Sequence, residues 1–405
     1  MTLRLHDTLT GRITPLRRRP GRPIGMYVCG PTVYAPAHVG HARTYLYFDV
    51  IRRTLLADGV PVRHVMNITD FEEKIDRRAA ALGMTWRALA RREEVGFFRD
   101  LDALGVLRPT FRPRASDFIR RMVRVAARLE KTGRVHRVGD HWYYRPPDRP
   151  REQNFPVSLE LARHAVPEPG HPFPKSESRA GEFLVWQRQE PPLPSWEGPW
   201  GPGMPGWHLE CYAMAHEYLG VPVDLHGGGL DLIYPHHHAE NEIALALDGV
   251  PFSRHFLHTA FVLQGGAKMS KSTGNLVPIQ EALSEGTADG LRWYLLSPRY
   301  FDRLTWRTSE LIWATDELTR IRSSIRRWVS GGAGGTLGAA SAVALARGVR
   351  DDLSDNLATD RAIARLREFA AQLDGAAQPG VRRGDRPAAE KALAQVEARL
   401  GIPLR

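Results

Sequence analysis

Two histidines one helical turn apart, His38 and His41, frame Gly40 in the segment His38-Val39-Gly40-His41. The segment falls between an apolar run and a long helical pattern. Helix N-termini present unpaired N–H groups and the positive end of a dipole, so they take up phosphate readily. Imidazoles placed there can donate to phosphoryl oxygens, and a glycine between them lets a flat base approach the backbone. Alone, such a segment in a chain with 16 histidines is a weak signal. Much later, Lys268-Met269-Ser270-Lys271-Ser272 follows Gly265-Gly266 and precedes Thr273-Gly274-Asn275. Two ammonium groups on a glycine-flanked loop can neutralise the charge that builds on a leaving pyrophosphate. A plain solvated basic loop accounts poorly for two lysines interleaved with two serines.

The chain has two cysteines, Cys29 and Cys211. Cys29 lies just before the His38 segment, and Cys211 ends Trp207-His208-Leu209-Glu210-Cys211. Downstream come Gly227-Gly228-Gly229-Leu230-Asp231 and then Pro235-His236-His237-His238-Ala239-Glu240-Asn241-Glu242. Residues four apart share a helix face, which offers His236 with Glu240 and His238 with Glu242. Two thiolates, an imidazole and a carboxylate suit Zn²⁺. Two buried structural cysteines beside an exposed histidine-rich turn are the competing explanation, since the spacing is not that of a zinc ribbon.

The elements that must carry these residues follow from periodicity. Residues 25–30 read as a buried strand, Gly40 onward as a helix with Tyr45, Phe48, Val50, Ile51 and Leu55 on one face, and residues 61–69 as a second strand. Strand, helix, strand implies a parallel sheet of an α/β fold. Residues 83–131 are helical in pattern. Residues 132–205 are dense in Pro and Trp and predict loops and short strands, an insertion in the sheet domain. The α/β pattern resumes over 206–288, and residues 289–405 predict a helical region with a glycine-rich break at 331–341. The expected units are therefore 1–131 and 206–288 as two halves of one catalytic domain, 132–205 as a connective insertion, and 289–405 as the helical tail.

Composition limits the alternatives. Of 405 residues, 42% are hydrophobic and 25% charged, which is ordinary for a globular protein and argues against wholesale disorder. Two cysteines are too few for a disulfide framework and point to a reducing cytoplasm. No apolar run approaches the roughly 18 residues of a membrane span, and the opening residues lack the apolar core of a secretory signal. The net charge of +11 fits a polyanionic partner, but the excess is mostly scattered Arg, as on solvated faces.

Taken together, the His38 and Lys268 segments resemble the two signatures of class I aminoacyl-tRNA synthetases, with Val39 standing for the usual Ile. The resemblance sharpens to the cysteinyl-tRNA synthetase family through CGPTVY at 29–34, HARTY at 41–45, FDVIRR at 48–53, NITD at 67–70, PSWEGPWGPGMPGWHLEC at 194–211 and HGGGLDL at 226–232. It covers residues 1–330 strongly and fades towards 370. The resemblance implies a Rossmann-like class I catalytic domain that turns L-cysteine and ATP, with Mg²⁺, into cysteinyl-AMP and pyrophosphate. It implies Zn²⁺ held by Cys29, Cys211 and a His/Glu pair, with His236 and Glu240 preferred over His238 and Glu242, and with the metal binding the substrate thiol. His38, His41, Lys268 and Lys271 would serve the phosphates. Gly40, Gly227, Gly228, Gly229, Asp231, Ser270 and Ser272 would hold the nucleotide, the three glycines as a loop. Thr69 and Trp207 would line the cysteine pocket.

Three departures bear on this. The family's P-H-H-E-N-E is two residues longer here. Ala35 stands where the family usually has Asp, so that carboxylate is missing or replaced by Glu72 or Glu73. The stretch after the lysines is short for an anticodon-reading domain, as in the related mycothiol cysteine ligases. That shortness favours the amine of a small molecule as acceptor, with tRNA-Cys as the alternative and an inactive RNA-binding paralogue as a third reading. A cytoplasmic monomer is expected.

Overall fold

The structure, a computed structural model, describes residues 2–156, 180–190, 193–269, 274–331, 337–376 and 380–405. A hairpin of β1 (Arg4–Asp7) and β2 (Arg12–Pro15) leads into β3 (Ile24–Val28), buried along its whole length. Helix α1 (Val39–Ala57) then crosses to β4 (Val62–Met66), which pairs parallel to β3. The five apolar positions expected on one face of α1 are all buried. Helices α2 (Glu73–Ala81), α3 (Trp86–Ala103) and α4 (Ile119–Glu130) follow. The helical run expected over 83–131 is broken between α3 and α4. Gly105 turns the chain at φ 67°, and Phe111 and Arg114 lie beside Val65 and Ile68. Pro109 and Pro113 lack the N–H that a helix would need there.

The Pro- and Trp-rich segment is more regular than expected. Strands β5 (Val135–Val138), β6 (His141–Tyr144), β7 (Phe183–Arg188), β8 (Trp196–Gly198) and β9 (Gly201–Pro205) make an antiparallel sheet in the order β5-β6-β7-β9-β8. Helix α5 (His208–Tyr218), β10 (Leu225–Gly229), α6 (His238–Asp248) and β11 (Phe256–Thr259) restore the α/β layering. β10 pairs parallel with both β3 and β11, giving a central parallel sheet in the order β11-β10-β3-β4.

A small sheet of β12 (Val262–Gln264), β13 (Ala267–Lys268) and β14 (Leu304–Thr305) borders the lysine segment, with α7 (Ile279–Glu285) and α8 (Ala288–Leu296) between β13 and β14. Four helices complete the chain: α9 (Thr308–Ser330), α10 (Ala339–Ser354), α11 (Thr359–Gly375) and α12 (Arg386–Leu400). They share one apolar core with α1 and β3, and α12 packs against both α1 and α10. A second core lies beneath α4, α5 and α6. No helix among the described residues is long and apolar enough to cross a membrane.

Candidate active site

The four parallel strands all end at one edge of the sheet, the edge where open α/β sheets hold ligands. Cys29 leaves β3 there. Its N–H donates to the Gly227 carbonyl at 3.0 Å, and its own carbonyl accepts the Tyr45 hydroxyl of α1 at 3.2 Å. Gly30 must be glycine, because a Cβ would lie 1.6 Å from the Asn67 carbonyl oxygen. Gly227, Gly228 and Gly229 belong to β10 and are not the free loop expected. A Cβ at Gly227 would meet the Leu257 carbonyl at 2.1 Å and the Phe48 ring at 2.4 Å, so the missing side chain lets α1 and β11 close on the strand. Asp231 follows in a short exposed turn, with its carboxylate over Gly229.

Cys29 and Cys211 come together although 182 positions separate them: their sulfurs are 3.7 Å apart. Cys211 lies on α5, which directly follows the antiparallel sheet. The His236 Nε2 is 3.4 Å from the Cys211 sulfur and 2.9 Å from Glu240 Oε1, and Glu240 Oε1 is 3.8 Å from the Cys29 sulfur. The four donor atoms of Cys29, Cys211, His236 and Glu240 lie within 4.8 Å of one another, and all four residues are buried. Two soft sulfurs, one imidazole nitrogen and one carboxylate oxygen are a donor set that fits Zn²⁺.

The other pair goes elsewhere. Glu242 accepts from Asn154 Nδ2 at 2.5 Å and Arg149 Nε at 3.0 Å, and His238 lies against Gly181. Two residues along a helix rotate a side chain by about 200°, so Glu240 and Glu242 cannot both face the sulfurs.

Sequence reasoning missed the histidines around this cluster. His226 Nε2 is 2.8 Å from Glu240 Oε2, while its Nδ1 donates to the Tyr27 carbonyl at 3.1 Å. His237 Nε2 is 3.3 Å from the Cys29 sulfur, and its Nδ1 is 2.7 Å from His258. His208 and His236 meet through their Nδ1 atoms at 2.9 Å. Trp207 stacks on His236 with ring centroids 4.0 Å apart. The position of His226 before three glycines was a usable signal; His258 had none.

Burial opposes charge throughout the cluster, and proximity overcomes it. Burial alone would raise the Glu240 carboxyl, but His236 brings it down to about 2. Burial would lower His236, and Glu240 lifts it to about 10. Burial also opposes ionisation of Cys29; the hydrogen bond from Cys211 and the nearby His237 and His226 hold its thiol well below the usual range. Thr69 donates to Glu210 at 2.7 Å, and burial pushes the Glu210 carboxyl well above its ordinary value.

At the start of α1, His38 caps the helix by accepting the Gly40 N–H at Nδ1, 3.1 Å away. His41 Nδ1 accepts the His38 N–H at 3.4 Å, and the two rings stack at 3.8 Å. The segment following the lysines is tied to this loop: Val39 N–H donates to the Val277 carbonyl and Ile279 N–H to the Ala37 carbonyl, each at 3.0 Å. Arg43, fully buried, donates to the carbonyls of Ala260, Phe261, Arg299 and Asp302 and so fixes the strands that lead to the lysines. Lys268 ends β13. Its side chain lies outside the described structure, as do Ser270, Lys271 and Ser272.

The sequence matches the catalytic domain of the class I (C) tRNA synthetases over residues 16–316. The chain belongs to this class I synthetase family. As a member it is an ATP-dependent ligase. A cysteine--tRNA ligase of Streptomyces avermitilis is 37% identical over 99% of this chain and 84% of its own length. One from Trichlorobacter lovleyi is 38% identical over 80% of this chain and 66% of its own. Among solved structures, a Mycobacterium tuberculosis methionyl-tRNA synthetase in complex with methionyl-adenylate superposes with a TM-score of 0.64 at 17% identity, covering 94% of this chain and 88% of that one. At that identity the likeness speaks for the class I fold alone.

Proposed function

We propose that this class I ligase activates L-cysteine with ATP and transfers the cysteinyl group to tRNA-Cys. The observation that carries the choice of amino acid is the convergence of the Cys29 and Cys211 sulfurs on His236 and Glu240. When bound there, Zn²⁺ would take a substrate thiolate as a further ligand by expanding its coordination, and would favour it over a hydroxyl. An apolar pocket discriminates by only about 1–3 kcal/mol per methylene, too little to exclude serine or alanine.

The substrate carboxylate forms a bond to the α-phosphorus of ATP, and the bond from that phosphorus to the pyrophosphate oxygen breaks. His38 and His41 donate to phosphate oxygens at the start of α1. Lys268 and Lys271 neutralise the departing magnesium pyrophosphate. Gly40, Ser270 and Ser272 lie along the nucleotide, with Gly227, Gly228, Gly229 and Asp231 towards the nucleoside. Thr69 and Trp207 border the cysteine, Trp207 through its stack on His236. Catalysis is by position and charge stabilisation, with no covalent enzyme intermediate. A hydroxyl of the terminal tRNA ribose then attacks the carbonyl carbon and AMP leaves.

The acceptor differs from the one the short tail favours. The Streptomyces relative named for tRNA is matched over 84% of its length, so shortness alone is a poor argument for an amine. The test is pyrophosphate exchange into ATP with cysteine, serine or alanine, followed by transfer to tRNA-Cys or to amino sugars. Exchange with cysteine alone and transfer to tRNA are expected. Exchange with serine would overturn the amino-acid assignment, and transfer only to an amine would overturn the acceptor.

A further inference from the structure

Beside the His38 loop lies a cavity of about 310 Å³, bordered by Tyr34, Ala35, His38, Arg78, Leu276 and Pro278. Leu276 and Pro278 belong to the segment that follows the lysines and is hydrogen-bonded to the His38 loop. Among the described residues no carboxylate lines the cavity: Ala35 is uncharged and the far wall is apolar. Arg78 enters from α2. The two other basic side chains before it are paired: Arg77 with Glu73 at 2.8 Å and Lys74 with Glu72 at 2.9 Å. Among the described residues no carboxylate pairs with Arg78. Lys74, four positions earlier on the same face, and its partner Glu72 both lie close enough to Tyr34 to act on its hydroxyl, in opposite senses.

The larger arginine-lined groove on α3 differs in kind. There carboxylates stand in the lining itself, Glu94 bound to Arg114 and Asp102 to Arg108, and take up part of its charge.

We infer that Arg78 is a further phosphate-contacting residue, stabilising the pyrophosphate that leaves ATP in the cavity shared with His38. This rests on the activation step proposed above. As the bond from the α-phosphorus to the bridging oxygen breaks, negative charge collects on the pyrophosphate. A guanidinium that no described carboxylate pairs, in a cavity that none lines, offers donors in a planar fork matched to phosphate oxygens. The lysine segment and Arg78 would then approach the leaving group from two separate elements.

The experiment compares wild type with Arg78→Gln and Arg78→Lys in cysteine-dependent pyrophosphate exchange. Arg78→Gln is expected to raise the KM for pyrophosphate at least about tenfold, with the KM for cysteine unchanged, and Arg78→Lys to recover part of the loss. Arg78 is exposed, so the variants should unfold at the wild-type temperature. An unchanged pyrophosphate KM in Arg78→Gln overturns the inference while leaving cysteine activation standing. If wild type shows no exchange with cysteine, the proposed function itself has failed. Calorimetric titration with magnesium pyrophosphate alone then decides on Arg78: roughly tenfold weaker binding to Arg78→Gln supports the contact, and equal binding rejects it.

Discussion

Cys211 shows how much depends on single atoms at this site. Its sulfur lies 3.7 Å from Cys29 and 3.4 Å from His236, in a pocket closed to solvent. Cys211→Ser replaces a soft donor by a hydroxyl of nearly the same size. The expected outcome is loss of bound zinc, measured by elemental analysis, and a fall in cysteine-dependent exchange of roughly a hundredfold or more. The fold should survive, since the change removes little volume. Retention of one zinc per chain at full activity would refute the assignment of Cys211 as a ligand. The pairing of the two cysteines was open to sequence reasoning because there are only two and each borders a recognisable segment. The His236/Glu240 choice was not settled there. It depends on where α6 begins, and the turn over Ile233–His237 that carries His236 into the helix contains an extended Tyr234 that no periodicity announces.

Secondary structure was legible wherever one face is buried and the other wet. α1 was readable for that reason, and β3 as a short apolar run buried on both faces and followed by Pro and Gly. The antiparallel order of the insertion was not, because its strands are three to six residues long and their pairing depends on contacts far apart in sequence. One strand also hides a titrating group. His64 on β4 is buried, and neither ring nitrogen has a hydrogen-bond partner among the described residues. Burial, and then the charge of Arg52, lower its pKa to about 3. An unfolded histidine titrates near 6.5. Between these values the unfolded chain binds the extra proton, so stability rises with pH in that window. The contribution is complete above about 6.5 and is lost as the pH falls towards 3. His64→Leu should therefore reduce the difference in urea stability between pH 7 and pH 5 by about 1–2 kcal/mol. An unchanged difference would place the acid sensitivity elsewhere.

At the level of the whole molecule, the helical region is built into the catalytic domain rather than appended to it. Arg292 on α8 is fully buried and reaches three segments. It donates to Asp49 on α1, to the Leu104 carbonyl at 3.2 Å, and to the Leu400 carbonyl at the end of α12 at 2.7 Å. Asp49 is shared with Arg53 at 2.7 Å, and these two cations, against the cost of burial, keep its carboxyl below the ordinary range. The helical character of residues 289–405 was plain from the sequence, but this anchoring was not, since it joins positions 49, 104, 292 and 400. Arg292→Met should destabilise the chain by roughly 3 kcal/mol, because it leaves a buried carboxylate with one partner fewer and two carbonyls without donors. Amide exchange should accelerate first in α12 and at the end of α3, the segments Arg292 holds, before the central sheet is affected. The double variant Asp49→Leu/Arg292→Met should recover part of the loss, because removing both charges removes the unpaired one. If Arg292→Met instead unfolds at the wild-type urea midpoint, with α12 as protected as before, the apolar contacts of α12 with α1 and α10 are sufficient by themselves and the guanidinium is dispensable to the union of the two regions.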